Sequence, residues 1–279
     1  MTDRYAVIGN PIAHSKSPQI HAAFAKQTGE DMAYEALLAP LDGFENTVRN
    51  FIAAGGRGMN VTVPFKLDAW RIATTRSPRA EAAKAVNMLV FTPSGIHGDN
   101  TDGAGLIADL KHNLKMVLKD KRVLLLGAGG AARGVILPLL LEQPATLTVA
   151  NRTTEKAHQL HAEFAQLTQD ATNFSACGFK ELAGQQFDVV INATSASLSD
   201  AAPEVPAGLC APYGLAYDMM YGETLTPFLK AIQKESGPGQ NTQLSDGLGM
   251  LIEQAAESFL LWRGVRPQTS PVLSVFRNT

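Results

Sequence analysis

The segment Val123-Leu-Leu-Leu-Gly-Ala-Gly-Gly-Ala-Ala132 leaves a chain few ways to fold. Four apolar residues without polar alternation suit a strand covered on both faces, the habit of parallel sheets. Gly127, Gly129 and Ala132 then fit the G-x-G-x-x-A spacing of a turn that opens a helix. Gly127 permits the tight turn, Gly129 lets backbone approach a pyrophosphate, and Ala132 allows helix and strand to pack closely. Ala128, Gly130 and Ala131 complete a small-residue entry to the helix N-terminus, which attracts anions. The turn predicts a dinucleotide site; without a ligand it would merely join strand to helix.

The surroundings support the first reading. A helix from Gly105 to about Val117 precedes the strand Arg122–Leu126. Strand Thr146–Ala150, helix Glu155–Leu167, strand Asp188–Ala193 and strand Leu215–Met219 follow. Strands alternating with helices predict a parallel sheet of Rossmann type. NAD sites usually place an acid at the end of the second strand, about 20 residues on, to hold the ribose hydroxyls. Here that place carries Asn151-Arg152-Thr153, with Lys156 one turn into the helix. An acid would repel a 2′-phosphate, whereas Arg152 and Lys156 attract one and Asn151 and Thr153 can hydrogen-bond it. The segment therefore favours NADP over NAD, against the plainer reading of a solvated helix start.

Upstream, strand-like runs at Tyr5–Ile8, Ala33–Ala39, Met59–Val63, Val86–Phe91 and Ile96–Gly98 alternate with helices. One helix begins at Ser17-Pro18, with Ser17 expected at the N-cap. Another shows Phe44, Val48, Phe51 and Ile52 on one face, and a third follows Pro64. Small polar residues crowd the junctions: Ser15-Lys-Ser17, Asn60–Lys66, Ala85-Val-Asn87 and Gly98–Gly103. Ser15 and Ser17 at a helix start suit a carboxylate. Lys66 and Asp102 are the ionisable pair of interest, because an aspartate beside a lysine ammonium in a closed cleft makes an acid–base group. Spacing alone does not bring them together, and Asp99 reads as a turn residue.

A long helix is expected from Gly247 to Trp262, after the loop that starts at Ser236. Lys+Arg 24 against Asp+Glu 26 gives a charge of -2, which disfavours a nucleic-acid or polybasic membrane binder. Hydrophobic residues at 45% can build a core. The longest apolar stretch, Val135–Leu141, contains Pro138 and is too short to span a bilayer. The start lacks the layout of a signal peptide. Cys177 and Cys210 are too few for a disulfide framework and have no basic neighbour to make a nucleophile. The histidines show no ligand spacing, so no metal is expected.

Taken in order, the runs Val7–Pro18, Asn60–Lys66, Ala85–Asn87, Gly98–Gly103, Gly127–Ala132 and Asn151–Thr153 resemble those of the shikimate dehydrogenase family. Asn192–Ser195, Tyr217–Tyr221, Thr226–Leu229 and Asp246–Leu251 extend the resemblance over almost the whole chain. It implies NADP-dependent reduction of 3-dehydroshikimate to shikimate on the way to the aromatic amino acids. By position, Ser15 and Ser17 would bind the substrate carboxylate. Thr62, Asn87, Asp102 and Gln254 would hold its hydroxyls, Tyr221 would lie beside the ring, and Lys66 with Asp102 would be catalytic. Gly127, Ala128, Gly129, Gly130, Ala131, Asn151, Arg152, Thr153, Lys156, Thr194, Met219 and Gly247 would line the NADP site. Three departures stand out. Lys84 and Met88 flank Ala85-Val-Asn87 where the family commonly has Gly and Thr; Lys156 stands where Arg is frequent; and Gly222-Glu-Thr-Leu lacks a proline often seen there.

The expectation is an α/β protein of two domains with a cleft between them that closes over both ligands. Residues 1–102, completed by 238–279, form the substrate domain, and 103–237 form the Rossmann-like NADP domain. A cytoplasmic monomer or homodimer acting on a small molecule is expected, with no nucleic acid or membrane partner. The rivals are a quinate/shikimate dehydrogenase of broader specificity, a non-catalytic paralogue that senses a shikimate-like ligand, and a bare NADP-binding redox sensor. Retention of Lys66 and Asp102 argues against the first sensor, and the dense Ser/Thr/Asn set argues against the second.

Overall fold

The computed structural model describes residues 2–167, 172–196, 201–235 and 241–277. Two compact units divide the chain: Met1–Ala108 with Leu251–Thr279, and Asp109–Met250. The chain thus leaves the first unit after the expected residue 102. The expected return at 238 lies outside the described residues, and the observed one, at Leu251, comes only inside the long helix Leu248–Arg263. The reason is local in both places. The helix Asp102–Ala108 stays with the first unit, and a short strand at Gln243–Ser245 still pairs with the second sheet.

The first unit runs β1 (Asp3–Gly9), α1 (Ser17–Thr28), β2 (Met32–Leu38), α2 (Phe44–Ala53), β3 (Gly56–Val61) and α3 (Lys66–Ile72). It continues with β4 (Thr75–Arg76), α4 (Pro78–Ala83), β5 (Met88–Thr92), β6 (Gly95–Asp99) and α5 (Asp102–Ala108). Its six strands lie in the order β2-β1-β3-β5-β6-β4, parallel among β1, β2 and β3 and antiparallel from β3 through β6. Ala6, Ile8, Met59, Val61 and Leu89 from the sheet pack with Phe44, Val48, Phe51 and Phe65. Ser17 is not the cap of α1: Lys16 holds that position in a helical conformation, no side chain caps it, and Ser17 is the first helical residue. The Lys16 carbonyl already accepts from Ile20 N–H, which draws the helix back by one residue.

The second unit contains β7 (Arg122–Leu126), α6 (Gly130–Leu141), β8 (Thr146–Asn151), α7 (Thr154–Phe164), β9 (Asn173–Gly178) and β10 (Phe187–Asn192). After these come β11 (Cys210–Asp218), α8 (Pro227–Glu235) and β12 (Gln243–Ser245). The order β12-β11-β10-β7-β8-β9 is wholly parallel. Read from β9, it is the doubly wound 3-2-1-4-5-6 arrangement, with its reversal between β7 and β10. The helix expected over 105–117 is shorter. α5 passes at Asp109–Asn113 into a π turn, closed by Leu114 N–H on the Asp109 carbonyl, and ends there.

Helix α9 (Leu248–Arg263) returns to the first unit, and α10 (Thr269–Arg277), which the sequence reading did not anticipate, follows it. Trp262 of α9 donates to the Leu89 carbonyl at 3.0 Å and lies where a side chain at Gly58 would have to go. Among the described residues no helix is long and apolar enough to cross a membrane.

Two residues of the first unit carry measurable strain or linkage. Lys84 caps α4 in the left-handed region, φ 48 and ψ 35, which explains why the resembling family favours glycine there. Lys84→Gly should stabilise the protein by about 1 kcal/mol, relief of left-handed strain outweighing the added chain entropy, as read by urea denaturation. His21 is fully buried, stacked on Tyr34 at 4.1 Å and ringed by Phe24, Phe259 and Trp262. Neither ring nitrogen makes a hydrogen bond of good geometry among the described residues. Burial pulls the imidazole down to about 3, with the Asn60 side chain opposing. The unfolded chain therefore takes up a proton near pH 6.5 that the folded chain refuses until about 3. Stability from this group is complete above that window and is lost as the pH falls through it, by up to about 1.4 kcal/mol per unit. Denaturation midpoints between pH 7 and 4.5 should fall less steeply in His21→Phe than in the wild type.

Candidate active site

Lys66 opens α3 and Asp102 opens α5, each at the end of a segment leaving the first sheet. Lys66 Nζ lies 2.6 Å from Asp102 Oδ2, so the fold makes the contact that spacing could not. The pair is only partly covered, with side-chain exposures of 26% and 11%, which leaves the ammonium accessible to a small molecule. Asp102 Oδ1 accepts from Asn87 Nδ2 at 2.8 Å, and the Asp102 N–H donates to Asn100 Oδ1 at 3.1 Å. Both carboxylate oxygens are thus engaged, as a partly buried anion requires.

The sense of the Asn87 amide is fixed without ambiguity. Its Oδ1 accepts the Thr101 backbone N–H at 2.7 Å, and a backbone N–H can only donate. Its Nδ2 must then face Asp102, with Thr101 Oγ1 at 3.0 Å and Gln254 Oε1 at 3.4 Å as further acceptors. Gln254, one residue of the buried face of α9, donates to the Leu251 carbonyl, and its Oε1 lies 3.3 Å from Thr101 Oγ1. The fold therefore brings Lys66, Asp102, Asn87 and Gln254 into one cluster.

Ser15, Ser17 and Thr62 lie in the same unit. Ser15 Oγ accepts from the Ser17 N–H at 3.3 Å, and the Ser17 side chain reaches the Tyr34 hydroxyl. Thr62 follows β3, its N–H on the Ile8 carbonyl and its methyl filling the space beside Gly9. Sequence reasoning missed Tyr34, Asn60, Thr101 and Ser258, which join this polar set through Tyr34 Oη to Asn60 Oδ1 at 2.7 Å and Asn60 Nδ2 to Ser258 Oγ at 3.0 Å. Asn60 and Thr101 fall inside motifs already singled out, whereas Ser258 offers only the hint of standing one turn beyond Gln254.

Asp99, read as a turn residue, also carries a buried ion pair. Arg79 reaches it through two nitrogens, both at 2.7 Å, and Ser77 Oγ and the Asn100 N–H donate to the same carboxylate. Burial works to raise the Asp99 carboxyl, but Arg79 prevails and holds it below the ordinary carboxylate range. Arg79 also bonds Glu257 of α9 at 3.1 Å, which ties the loop ahead of Asp102 to that helix.

In the second unit the glycine turn has the form expected of a phosphate cradle. Gly127 takes φ 109, and a Cβ there would press on the backbone of Ala193 and Thr194. Beyond it, a Cβ at Gly129 or Gly130 would meet nothing, so the start of α6 is open for a phosphate. Ala128 is half-buried and Ala131 exposed beside it. Asn151 ends β8 and donates to the Thr153 carbonyl at 2.9 Å. Arg152, Thr153 and Lys156 are exposed, and neither cation is drawn into an ion pair among the described residues. At the ends of β10 to β12 the remaining predicted residues gather. Thr194 bonds Asn192 Oδ1 through its N–H and Oγ1, at 3.1 and 2.7 Å. Gly247 has no room for a side chain against the Met219 carbonyl, and its N–H donates to the Met220 carbonyl. Tyr221, in this unit, is held above the ordinary phenol range by burial and then by Asp246.

The cysteines have no nucleophilic character. Burial raises Cys177 and pushes Cys210 up to about 12. Among the described residues no three His, Cys, Asp or Glu side chains are placed to hold a metal.

Comparison with known proteins gives these features a family. Residues 7–89 match the shikimate dehydrogenase substrate binding domain, 109–200 the shikimate / quinate 5-dehydrogenase domain, and 247–275 the shikimate 5′-dehydrogenase C-terminal domain. The shikimate dehydrogenase (NADP(+)) of Aromatoleum aromaticum is 63% identical over 99% of this chain and 97% of its own. An Ael1 enzyme from Pseudomonas putida is 46% identical with a TM-score of 0.90, covering 98% of both chains. The shikimate 5-dehydrogenase of Thermus thermophilus, in complex with NADP(H) and shikimate, is 32% identical with a TM-score of 0.86, covering 99% of both. On matching models over most of its length and a relative this similar from end to end, the chain belongs to the shikimate dehydrogenase family.

Proposed function

We propose that the chain catalyses the reversible, NADP-dependent reduction of 3-dehydroshikimate to shikimate, with Lys66 and Asp102 as its acid–base pair. The observation that carries this reading is the 2.6 Å contact of Lys66 Nζ with Asp102 Oδ2, set among amide and hydroxyl groups suited to a polyhydroxylated ring. The cofactor follows from the open cradle at Gly127–Ala131 and the two exposed cations, Arg152 and Lys156, after β8. The names of the curated relatives give the same cofactor.

Bound NADPH supplies a hydride to the C3 carbonyl carbon. The protein's part is to manage the charge that grows on the carbonyl oxygen. A cationic Lys66 placed at that oxygen stabilises the developing anion and delivers the proton that completes the hydroxyl. Asp102 keeps the ammonium aimed by accepting one of its N–H bonds, and Asn87 keeps Asp102 aimed by donating to its other oxygen. In the reverse direction neutral Lys66 accepts the hydroxyl proton. Ser15 and Ser17 are proposed to hold the substrate carboxylate, and Thr62, Asn87 and Gln254 its hydroxyls. The roles carried over for Tyr221, Thr194, Met219 and Gly247 belong to the same proposal, as does a cytoplasmic monomer or homodimer.

The decisive experiment follows reduced-nicotinamide absorbance with purified protein, crossing shikimate and quinate with NADP and NAD. Turnover confined to shikimate with NADP is expected. Comparable rates with quinate or NAD would reassign the chain to the broader dehydrogenase, and binding without turnover in every combination would leave a sensor. Lys66→Ala should lower kcat by about a thousandfold while shikimate still binds by calorimetry. Arg152→Ala should raise KM for NADP about tenfold and leave KM for NAD unchanged, the loss of one charge-assisted bond to the 2′-phosphate.

A further inference from the structure

Behind the Lys66–Asp102 pair lies a buried chain of hydrogen bonds. Tyr34 Oη donates to Asn60 Oδ1, and Asn60 Nδ2 faces both the Asn87 carbonyl at 3.3 Å and Ser258 Oγ at 3.0 Å. Only an N–H can face that carbonyl, so this amide too has a fixed sense. Ser258 Oγ donates its one proton to the Gln254 carbonyl at 3.0 Å. Its oxygen is left to accept from Asn60, and it is one of three acceptors facing the single Thr101 hydroxyl proton, with Asn87 Oδ1 at 3.2 Å and Gln254 Oε1 and Ser258 Oγ at 3.3 Å. Thr101 Oγ1 in turn accepts from Asn87 Nδ2 at 3.0 Å and lies within 3.3 Å of Gln254 Oε1. Thr101 and Ser258 are both completely buried, so water is not available to replace either hydroxyl.

We propose that Thr101 and Ser258 are positioning residues whose hydroxyls, in contact with each other, steady the Asn87 nitrogen in line with Asp102 and so set the aim of Lys66. The proposal rests on the reading of Lys66 and Asp102 as the acid–base pair. Without the Thr101 hydroxyl, the second Asn87 N–H has only the longer contact with Gln254 Oε1, at 3.4 Å. The Thr101 backbone N–H still sets the sense of the amide, but its nitrogen is held less firmly in line with the carboxylate. The burden falls on the chemical step, because neither hydroxyl is assigned a contact with substrate.

The test is a set of variants assayed in the shikimate direction with NADP. Thr101→Val removes the hydroxyl at nearly constant volume and should lower kcat about tenfold with KM for shikimate changed less than about threefold. Thr101→Ser, which restores the hydroxyl, should recover most of kcat, a rescue that a merely structural role does not give. In an Asn87→Ala background Thr101→Val should have less than about a twofold further effect, since the amide it orients is gone. Ser258→Ala, which removes the other end of the bridge, should lower kcat several-fold and decides the matter should Thr101→Val not fold. Wild-type kcat in folded Thr101→Val and Ser258→Ala, or a full tenfold loss persisting in the Asn87→Ala background, would overturn the proposal. A near-normal kcat in Lys66→Ala would instead overturn the reading beneath it, so the two failures are told apart.

Discussion

The contact of Lys66 with Asp102 is the interaction around which the first unit is arranged. A partly covered ion pair survives only when desolvation is met by further hydrogen bonds, and here the surrounding sequence supplies them. Asn87 takes one carboxylate oxygen and Lys66 the other, while Asn100 accepts from the Asp102 backbone. Helix α9 packs on this loop through Arg79, which bonds Asp99 and Glu257 together. The last part of the chain is therefore needed to fix a site whose reactive residues come from its first half.

The second unit solves a different problem, which is to receive anionic groups without a dedicated cage of side chains. Strand order places the reversal between β7 and β10, the position at which doubly wound sheets receive their ligands. Gly127 turns with φ 109 because its backbone is wedged against Ala193 and Thr194, and the two glycines after it leave the helix start bare. Gly247 is bare for the opposite reason, since the Met219 carbonyl already occupies its side-chain direction. The same residue type thus serves an open approach after the central strand β7 and a tight packing contact after the edge strand β12.

What the sequence disclosed and what it withheld divide along the length scale of the information. The strand at Val123–Leu126 and its turn could be read directly because a strand, a glycine spacing and a helix start are consecutive. Residues at the edges of motifs, such as Asn87 and Asp102, were legible as small polar groups at junctions but not as partners. Short elements escaped: β4 and β12 have two and three residues, too few for a period to emerge, and α4, β9, α8 and α10 went unread as well. The expected helix over 105–117 failed for a subtler reason. Leu106, Ile107, Leu110 and Leu114 keep helical spacing, yet the backbone inserts a π turn at Asp109.

At that turn sits a buried carboxylate that no hydrophobic pattern announces. Asp109 is completely buried, accepts from Tyr217 Oη at 2.6 Å and from Asn113 Nδ2 at 2.9 Å, and lies where Gly249 would otherwise carry a side chain. The strain of the π geometry is local, whereas an unpaired carboxylate inside the second unit would be far more costly. Burial also holds the Tyr217 hydroxyl above its ordinary range, reinforced by the Asp109 charge, so that it remains a donor to that carboxylate. A buried acid is thus fully engaged at this point, as Asp102 is by Asn87 and Lys66 in the first unit. In both units the residues hardest to foresee are those that complete the hydrogen bonding of a buried acid.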